Sequence, residues 1–249
     1  MSLLSVQREG SGSSFVWLHG FTQTSASAHQ FRSILAGSHD LLTLDLPGHG
    51  SSYEVSASLE ETADLVLASL PSEPIALGGY SFGARVALHV ALRHPHRIRR
   101  LVLLGATRGV EDETLRSERR TRDEKLATRI ERIGTEHFLD EWLAQPMFAA
   151  LPLDPLEREA RSSNAKGLAN SLRFAGTGTQ VWLAPLLPSV NVPTLTLAGS
   201  LDQKFSAEAR AIAESVKHGQ VALIDGAQHA AHIERPEATA LRIQSWLAD

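Results

Sequence analysis

Short apolar runs recur along the chain with amphipathic stretches between them, at residues 15–18, 41–44, 75–77, 101–104, 194–197 and 221–224. Each is only a few residues long, and most stop at Gly, Asp or Pro. Continuous apolar runs, rather than alternating ones, are what strands covered on both faces require. Residues 82–93, 207–216 and 236–247 carry helical periodicity. Strands alternating with helices predict an α/β fold, with a mostly parallel central sheet flanked by helices.

The alternation stops between Gly105 and Leu187 and resumes at Thr194. The intervening stretch is helical in character, rich in Arg and Glu, and holds no convincing strand. It reads as a helical lid, residues 106–187, inserted into a core made of residues 1–105 and 188–249. An insertion after a mid-sheet strand emerges at the C-terminal ends of the strands, where open α/β sheets bind ligands. Within the lid, Leu126, Ile130 and Ile133 recur at the i, i+4, i+7 spacing of a buried stripe. Projected back along the helix, the same face carries Arg116, Arg119, Arg120 and Asp123. Two readings stay open on this pattern. The guanidiniums line a cleft and bind carboxylates bidentately, or they pair with Asp112, Glu113 and Asp123 on a solvated helix end.

Composition narrows the function classes. Hydrophobic residues at 43% and charged residues at 21% suit a globular chain with a sizeable core. A net charge of −4 gives no bulk attraction to nucleic acid or anionic membrane, so neither is an expected partner. The absence of cysteine excludes disulfides, thiol catalysis and Cys-ligated zinc. The N-terminal residues lack the basic and apolar regions of a secretory signal. No apolar stretch approaches the ~20 residues that span a bilayer. The expectation is a soluble cytoplasmic protein acting on a small molecule, with no cofactor and no metal.

The chemistry concentrates at Gly79-Tyr80-Ser81-Phe82-Gly83, a G-x-S-x-G segment directly after an apolar run and directly before a helix. A serine on so sharp a strand-to-helix turn needs tiny neighbours, and Gly79 and Gly83 supply them. The turn also sets the Phe82 N–H at a helix N-terminus, aimed at a developing oxyanion. Serine needs a base. His229, between the last strand and the last helix, fits that place, with His232 as its competitor; His94 and His96 flank Pro95 and read as surface residues. The acid that orients the imidazole is Asp202, just beyond the run at 194–197, in preference to Asp225, which reads as a turn cap. The second oxyanion donor is the N–H of Phe21, in Leu18-His19-Gly20-Phe21.

Taken together, Leu18-His19-Gly20-Phe21, Asp45-Leu46-Pro47-Gly48-His49-Gly50, the Ser81 segment, Asp202 and His229 resemble the α/β-hydrolase superfamily across nearly the whole chain. The lid is similar to that of the SHCHC synthases of the menaquinone pathway. The similarity lies in Leu126-Ala127, Gly134, Phe138, residues 141–148 and Gly176-Thr177-Gly178-Thr179-Gln180, and also in Arg85 after the nucleophile segment. That family eliminates pyruvate from a succinyl-enolpyruvyl-hydroxycyclohexene carboxylate. The chain departs from its pattern at four places. Ala84 and Gln228 stand where glycine is usual, His29 replaces a tryptophan, and Trp182 is displaced after Gln180.

The resemblance implies an anionic substrate, which favours the cleft reading of Arg119 and Arg120, joined by Arg85. Tyr80 either packs beside the nucleophile or donates a hydrogen bond, and Trp142 and Phe148 serve as lid core or substrate contacts. Two reactions use the same three residues: elimination, with Ser81 as base, and carboxylester hydrolysis through an acyl-Ser81 intermediate. A third class, a non-catalytic ligand-binding relative, has no need of an intact Ser, Asp and His set.

Overall fold

The computed structural model describes residues 3–248. Its strands are β1 (Val6–Gly10), β2 (Ser13–Leu18), β3 (His39–Leu44), β4 (Ile75–Tyr80), β5 (Ile98–Leu104), β6 (Thr194–Gly199) and β7 (Gly219–Ile224). Its helices are α1 (His29–Ala36), α2 (Leu59–Ala68), α3 (Phe82–Arg93), α4 (Glu113–Leu143), α5 (Pro155–Glu159), α6 (Ala165–Ala175), α7 (Gln203–Ser215), α8 (Ala231–Glu234) and α9 (Pro236–Ala248). The strands form one sheet in the order β1-β3-β2-β4-β5-β6-β7. β1 runs antiparallel to β3, and the other pairs are parallel.

Each predicted apolar run lies inside a strand. β1 was not predicted, because Val6-Gln7-Arg8-Glu9-Gly10 is an edge strand paired on one side only, and polar residues suit it. Its register is pinned by Arg8, whose Nε and Nη2 donate to the Asp40 carboxylate on β3 at 2.6 and 2.9 Å.

Alternate strand residues serve opposite faces. Val16, Leu18, Leu42, Leu44, Leu77, Leu101 and Leu103 pack with α2, α3 and α7. Phe15, Trp17, Leu41, Ala76, Val102 and Leu104 pack with α1, α8 and α9. This two-sided burial is why the strands carry no polar alternation. After β2 the chain crosses to β3 on one side, then returns to β4 on the other. The crevice at such a reversal, beyond the carboxyl ends of β2 and β4, is where open sheets bind ligands.

The segment between β5 and β6 is the helical insertion. α4 runs for 31 residues and breaks at Gly134 (φ 77°, ψ 166°). Ala127 and Ile130 on its first half and Phe138 on its second pack against Leu168, Ala169 and Leu172 of α6, with Leu126 and Ile133 half-buried beside them. Arg173 of α6 clamps the pair from outside by donating to both Glu124 and Glu131. Among the described residues, no helix is long and apolar enough to cross a membrane.

Phe31, fully buried on α1, packs tilted against Trp17 of β2 with ring centroids 4.9 Å apart and ties the helix layer to the sheet. Phe31→Ala should therefore lower unfolding free energy by about 3–5 kcal/mol. Tyr53→Ala, at a 41% exposed side chain, should change it by less than about 0.5 kcal/mol. Urea denaturation of both variants measures the contrast.

Candidate active site

Ser81 is the single residue between β4 and α3, and its backbone is held at φ 51°, ψ −103°. A non-glycine residue in so sparsely populated a region costs about 1–3 kcal/mol and persists only where its surroundings enforce it. Here they do. The Ser81 N–H donates to Leu104 O at the end of β5 (2.8 Å), and the Gly83 N–H donates to His19 O after β2 (3.0 Å). The two glycines are required by close approach. A Cβ on Gly79 would meet Gly83 C at 2.4 Å, and one on Gly83 would meet Leu18 O at 2.2 Å.

The turn lifts the Ser81 hydroxyl to 3.2 Å from His229 Nε2, while His229 Nδ1 lies 2.9 Å from Asp202 Oδ2. With Nδ1–H donating to the carboxylate, Nε2 is left as the acceptor for the hydroxyl proton. Asp202 is the N-cap of α7, and its Oδ1 accepts the Phe205 N–H at 3.1 Å. Burial works against its charge, but the hydrogen bonds from His229 and the Phe205 amide outweigh that and hold the carboxyl below its ordinary value. The imidazole is packed between the rings of Phe205 (4.2 Å) and Tyr80 (5.2 Å).

The alternatives weighed on sequence lie elsewhere. Asp225 is exposed and accepts from Ser200 Oγ at 3.4 Å. His232 is buried behind Tyr80, with ring centroids 4.2 Å apart and Nε2 3.3 Å from Gln23 Nε2. Desolvation, then the charges of His229 and Arg161, push it down to about 3, so it is neutral at physiological pH. His94 bonds Asp64 at 2.7 Å at the C-terminal end of α3, and His96 is exposed.

The Phe82 N–H opens α3, and no acceptor takes it or the Phe21 N–H among the described residues. Phe21 follows Gly20, whose own N–H is held by Gln23 Oε1 at 2.8 Å, and Thr22 beside it has φ 69°. Donors left open at a helix N-terminus and on a braced loop suit a developing anion.

Cationic groups surround this end of the sheet. Arg85 is buried, donating to Ala175 O (3.0 Å) and Gln180 Oε1 (3.3 Å), with no carboxylate partner among the described residues. Burial, then the charge of Arg119, pushes it down to about 10. Arg119 donates to the buried Asp123 at 2.8 Å. Arg120 is exposed, donating to Glu113 (2.9 Å) and Gly178 O (3.2 Å), and Arg116 also pairs with Glu113. All three arginines of the stripe thus have a carboxylate partner, Asp123 for Arg119 and Glu113 for Arg116 and Arg120.

Trp142 packs edge-on against Phe21 at 5.2 Å and between Phe138 and Phe148, and its buried indole N–H has no acceptor. A buried N–H without a partner marks a place for one. Tyr80 is buried, and burial raises its hydroxyl above the ordinary value while the charge of Arg161 opposes this.

Sequence reading passed over Arg161. It lies in the irregular stretch before α6, where no periodicity assigns a face. Its Nη1 donates to Thr22 Oγ1 at 2.6 Å, one residue from Phe21, and its Nε is sealed from solvent without an acceptor. Like Arg85, it has no carboxylate within ion-pair distance among the described residues.

One group, His29, Asp154 and Glu157, brings three metal-type donors within 4.8 Å. Glu157 is already committed, accepting the Ala28 and His29 amides and His29 Nδ1, each at 2.9 Å, so it caps α1 and ties it to α5. His29 serves this link where the resembled pattern has a tryptophan. Trp182 lies under the Arg108 guanidinium at 5.1 Å.

Known proteins share this architecture. A family model described as the alpha/beta hydrolase family matches residues 15–242. A 2-succinyl-6-hydroxy-2,4-cyclohexadiene-1-carboxylate synthase of Yersinia pseudotuberculosis serotype O:1b is 32% identical, over 98% of this chain and 90% of that protein. The structure of MenH from S. aureus has a TM-score of 0.90 at 29% identity, covering 100% of this chain and 98% of that one. A thermophilic esterase from Thermogutta terrifontis, solved with malate bound, shares the fold with a TM-score of 0.81 at 24% identity, over 98% and 93% of the two chains. A seven-stranded sheet with its helical insertion after β5, and likeness to these proteins along nearly its full length, make the chain a member of the alpha/beta hydrolase family, an enzyme fold related to the SHCHC synthases.

Proposed function

We propose that the protein is a carbon–oxygen lyase that eliminates pyruvate from a polycarboxylated cyclohexene, with Ser81, His229 and Asp202 as its catalytic relay. One observation carries the reading: Arg85, on the first turn after Ser81, and Arg161, on Thr22 beside the Phe21 loop, have no carboxylate within ion-pair distance among the described residues. Sequestering an unpaired charge costs several kcal/mol, so such cations call for an anionic ligand. An enzyme for apolar esters gains nothing from them.

Asp202 keeps the proton on His229 Nδ1, and Nε2 takes the Ser81 proton as Oγ removes one from the substrate ring. The electron pair released forms a ring double bond, the carbon–oxygen bond to the enolpyruvyl group breaks, and the departing enolate takes the proton from His229 Nε2 to become pyruvate, which restores the relay. The open amides of Phe21 and Phe82 meet the negative charge that develops. Arg85, Arg119 and Arg161 hold carboxylates, and the Trp142 N–H and Tyr80 hydroxyl complete the polar lining. A carboxylesterase would use the same relay with Ser81 as nucleophile. The two are separated by comparing kcat/KM for pyruvate release from the enolpyruvyl substrate with that for short-chain aryl esters. A dominant ester activity would overturn the lyase reading.

Ser81→Ala should reduce turnover by about three orders of magnitude or more while the fold is retained by circular dichroism. Asp202→Asn should be far more damaging than Asp225→Asn in the same assay, because only Asp202 bonds the imidazole. Arg161→Ala should raise KM for the polycarboxylate substrate at least about tenfold, the scale of a lost charged hydrogen bond. Arg120→Ala, at a guanidinium already engaged by Glu113, should raise it less. Steady-state kinetics on the two variants tests the ranking.

A further inference from the structure

Glu234 ends α8, five residues beyond His229, and is only 6% exposed. The neighbouring cation does not neutralise it, since Arg235 Nη1 donates to the Glu234 main-chain oxygen at 2.9 Å. The carboxylate goes instead to two backbone amides. Oε2 accepts the Gln228 N–H at 2.5 Å, and Oε1 accepts the Ala230 N–H at 2.9 Å. The residue between those two amides is His229. The Glu234 N–H returns a bond to Ala230 O at 3.0 Å, closing a ring around the start of the short helix.

A turn that needed only capping is satisfied by Asn, Ser or Thr without burying a charge. Charge-assisted bonds to amides are roughly twice as strong as neutral ones. Gripping both amides with a single rigid group leaves the peptide plane before Gln228 and the one after His229 little freedom. Those planes set where the ring points, and misplacing a reacting group by about 1 Å costs about a hundredfold in rate. Gln228 is accommodated where the resembled pattern has glycine because its φ is not positive, and the loop uses only its N–H.

We infer that Glu234 is a positioning residue for His229, its carboxylate clamping the two amides that bracket the imidazole and so setting the Ser81–His229 distance. The inference rests on the reading of Ser81, His229 and Asp202 as the catalytic relay.

Glu234→Gln is nearly isosteric but turns an NH2 group toward one of the two amides, so one grip is lost. On the full chain it should lower kcat for pyruvate release about 10- to 100-fold with KM within about twofold. It should also shift or broaden the downfield proton resonance of His229 Nδ1–H, identified by its loss in His229→Ala. Glu234→Asp, which keeps the charge but is one methylene too short to reach both amides, should show the same split if the glutamine variant folds poorly. A kcat within threefold of the parent, or one reduced only in proportion to the unfolded fraction in a thermal melt, with the resonance unmoved, overturns the inference. Ser81→Ala is the separate control. If it stays active, the relay reading fails, whereas the resonance still reports whether Glu234 holds the ring.

Discussion

The conformation of one residue underlies the rest of this molecule. At φ 51°, ψ −103° the Ser81 backbone is one that an isolated chain avoids, and the sheet on both sides of it supplies what holds it there. β5 takes its N–H through Leu104 O, and the chain leaving β2 takes the next turn of α3 through His19 O. Two neighbouring strand ends and one helix start are thereby locked into a single unit. The serine hydroxyl, the Phe82 amide and the Phe21 loop are parts of that unit and need no separate device to be brought together.

The strands were readable because burial on both faces removes polar alternation, and the serine turn because its spacing is dictated by sterics. The places for Asp202 and His229 followed from the same logic, since a residue just past a parallel strand can only sit at the sheet's carboxyl end. What escaped detection shares a different cause. β1 is half solvated, so it has no apolar signature. Arg161 and Glu234 lie in segments without periodicity, and their partners, Thr22 Oγ1 for one and two backbone amides for the other, are decided by tertiary structure. For the lid, helical projection placed Arg116, Arg119 and Arg120 on one face and offered Asp112, Glu113 and Asp123 as partners, but could not choose between that pairing and a cleft. Glu113 takes two of them and Asp123 the third.

Charge in this protein is arranged by depth. Outer guanidiniums are paired with glutamates, Arg173 of α6 with Glu124 and Glu131 of α4, and Arg129 with Glu141 across the Gly134 break. Toward the serine turn the pairing thins out, until Arg85 and Arg161 rest on neutral oxygens alone. The histidines follow the opposite trend, for burial keeps His49 and His232 uncharged. Positive potential at this end of the sheet is therefore carried by groups that cannot give up their proton near neutral pH.

The break at Gly134 divides the longest helix into a half that bears the arginines and a half that bears Phe138 and Trp142. Its φ of 77° interrupts the run, and a side chain there would meet nothing within 4 Å, so tight packing does not impose the bend. The two halves are joined by a single permissive residue, share the α6 core and are bridged by Arg129 and Glu141, and each has a further anchor: Asp123 on the Gly178 amide for one, aromatic packing on Phe21 for the other. Electrostatic preference and steric shape therefore reside on different halves of one polypeptide segment, and because both rest on α6, a shift of that helix would move the two together.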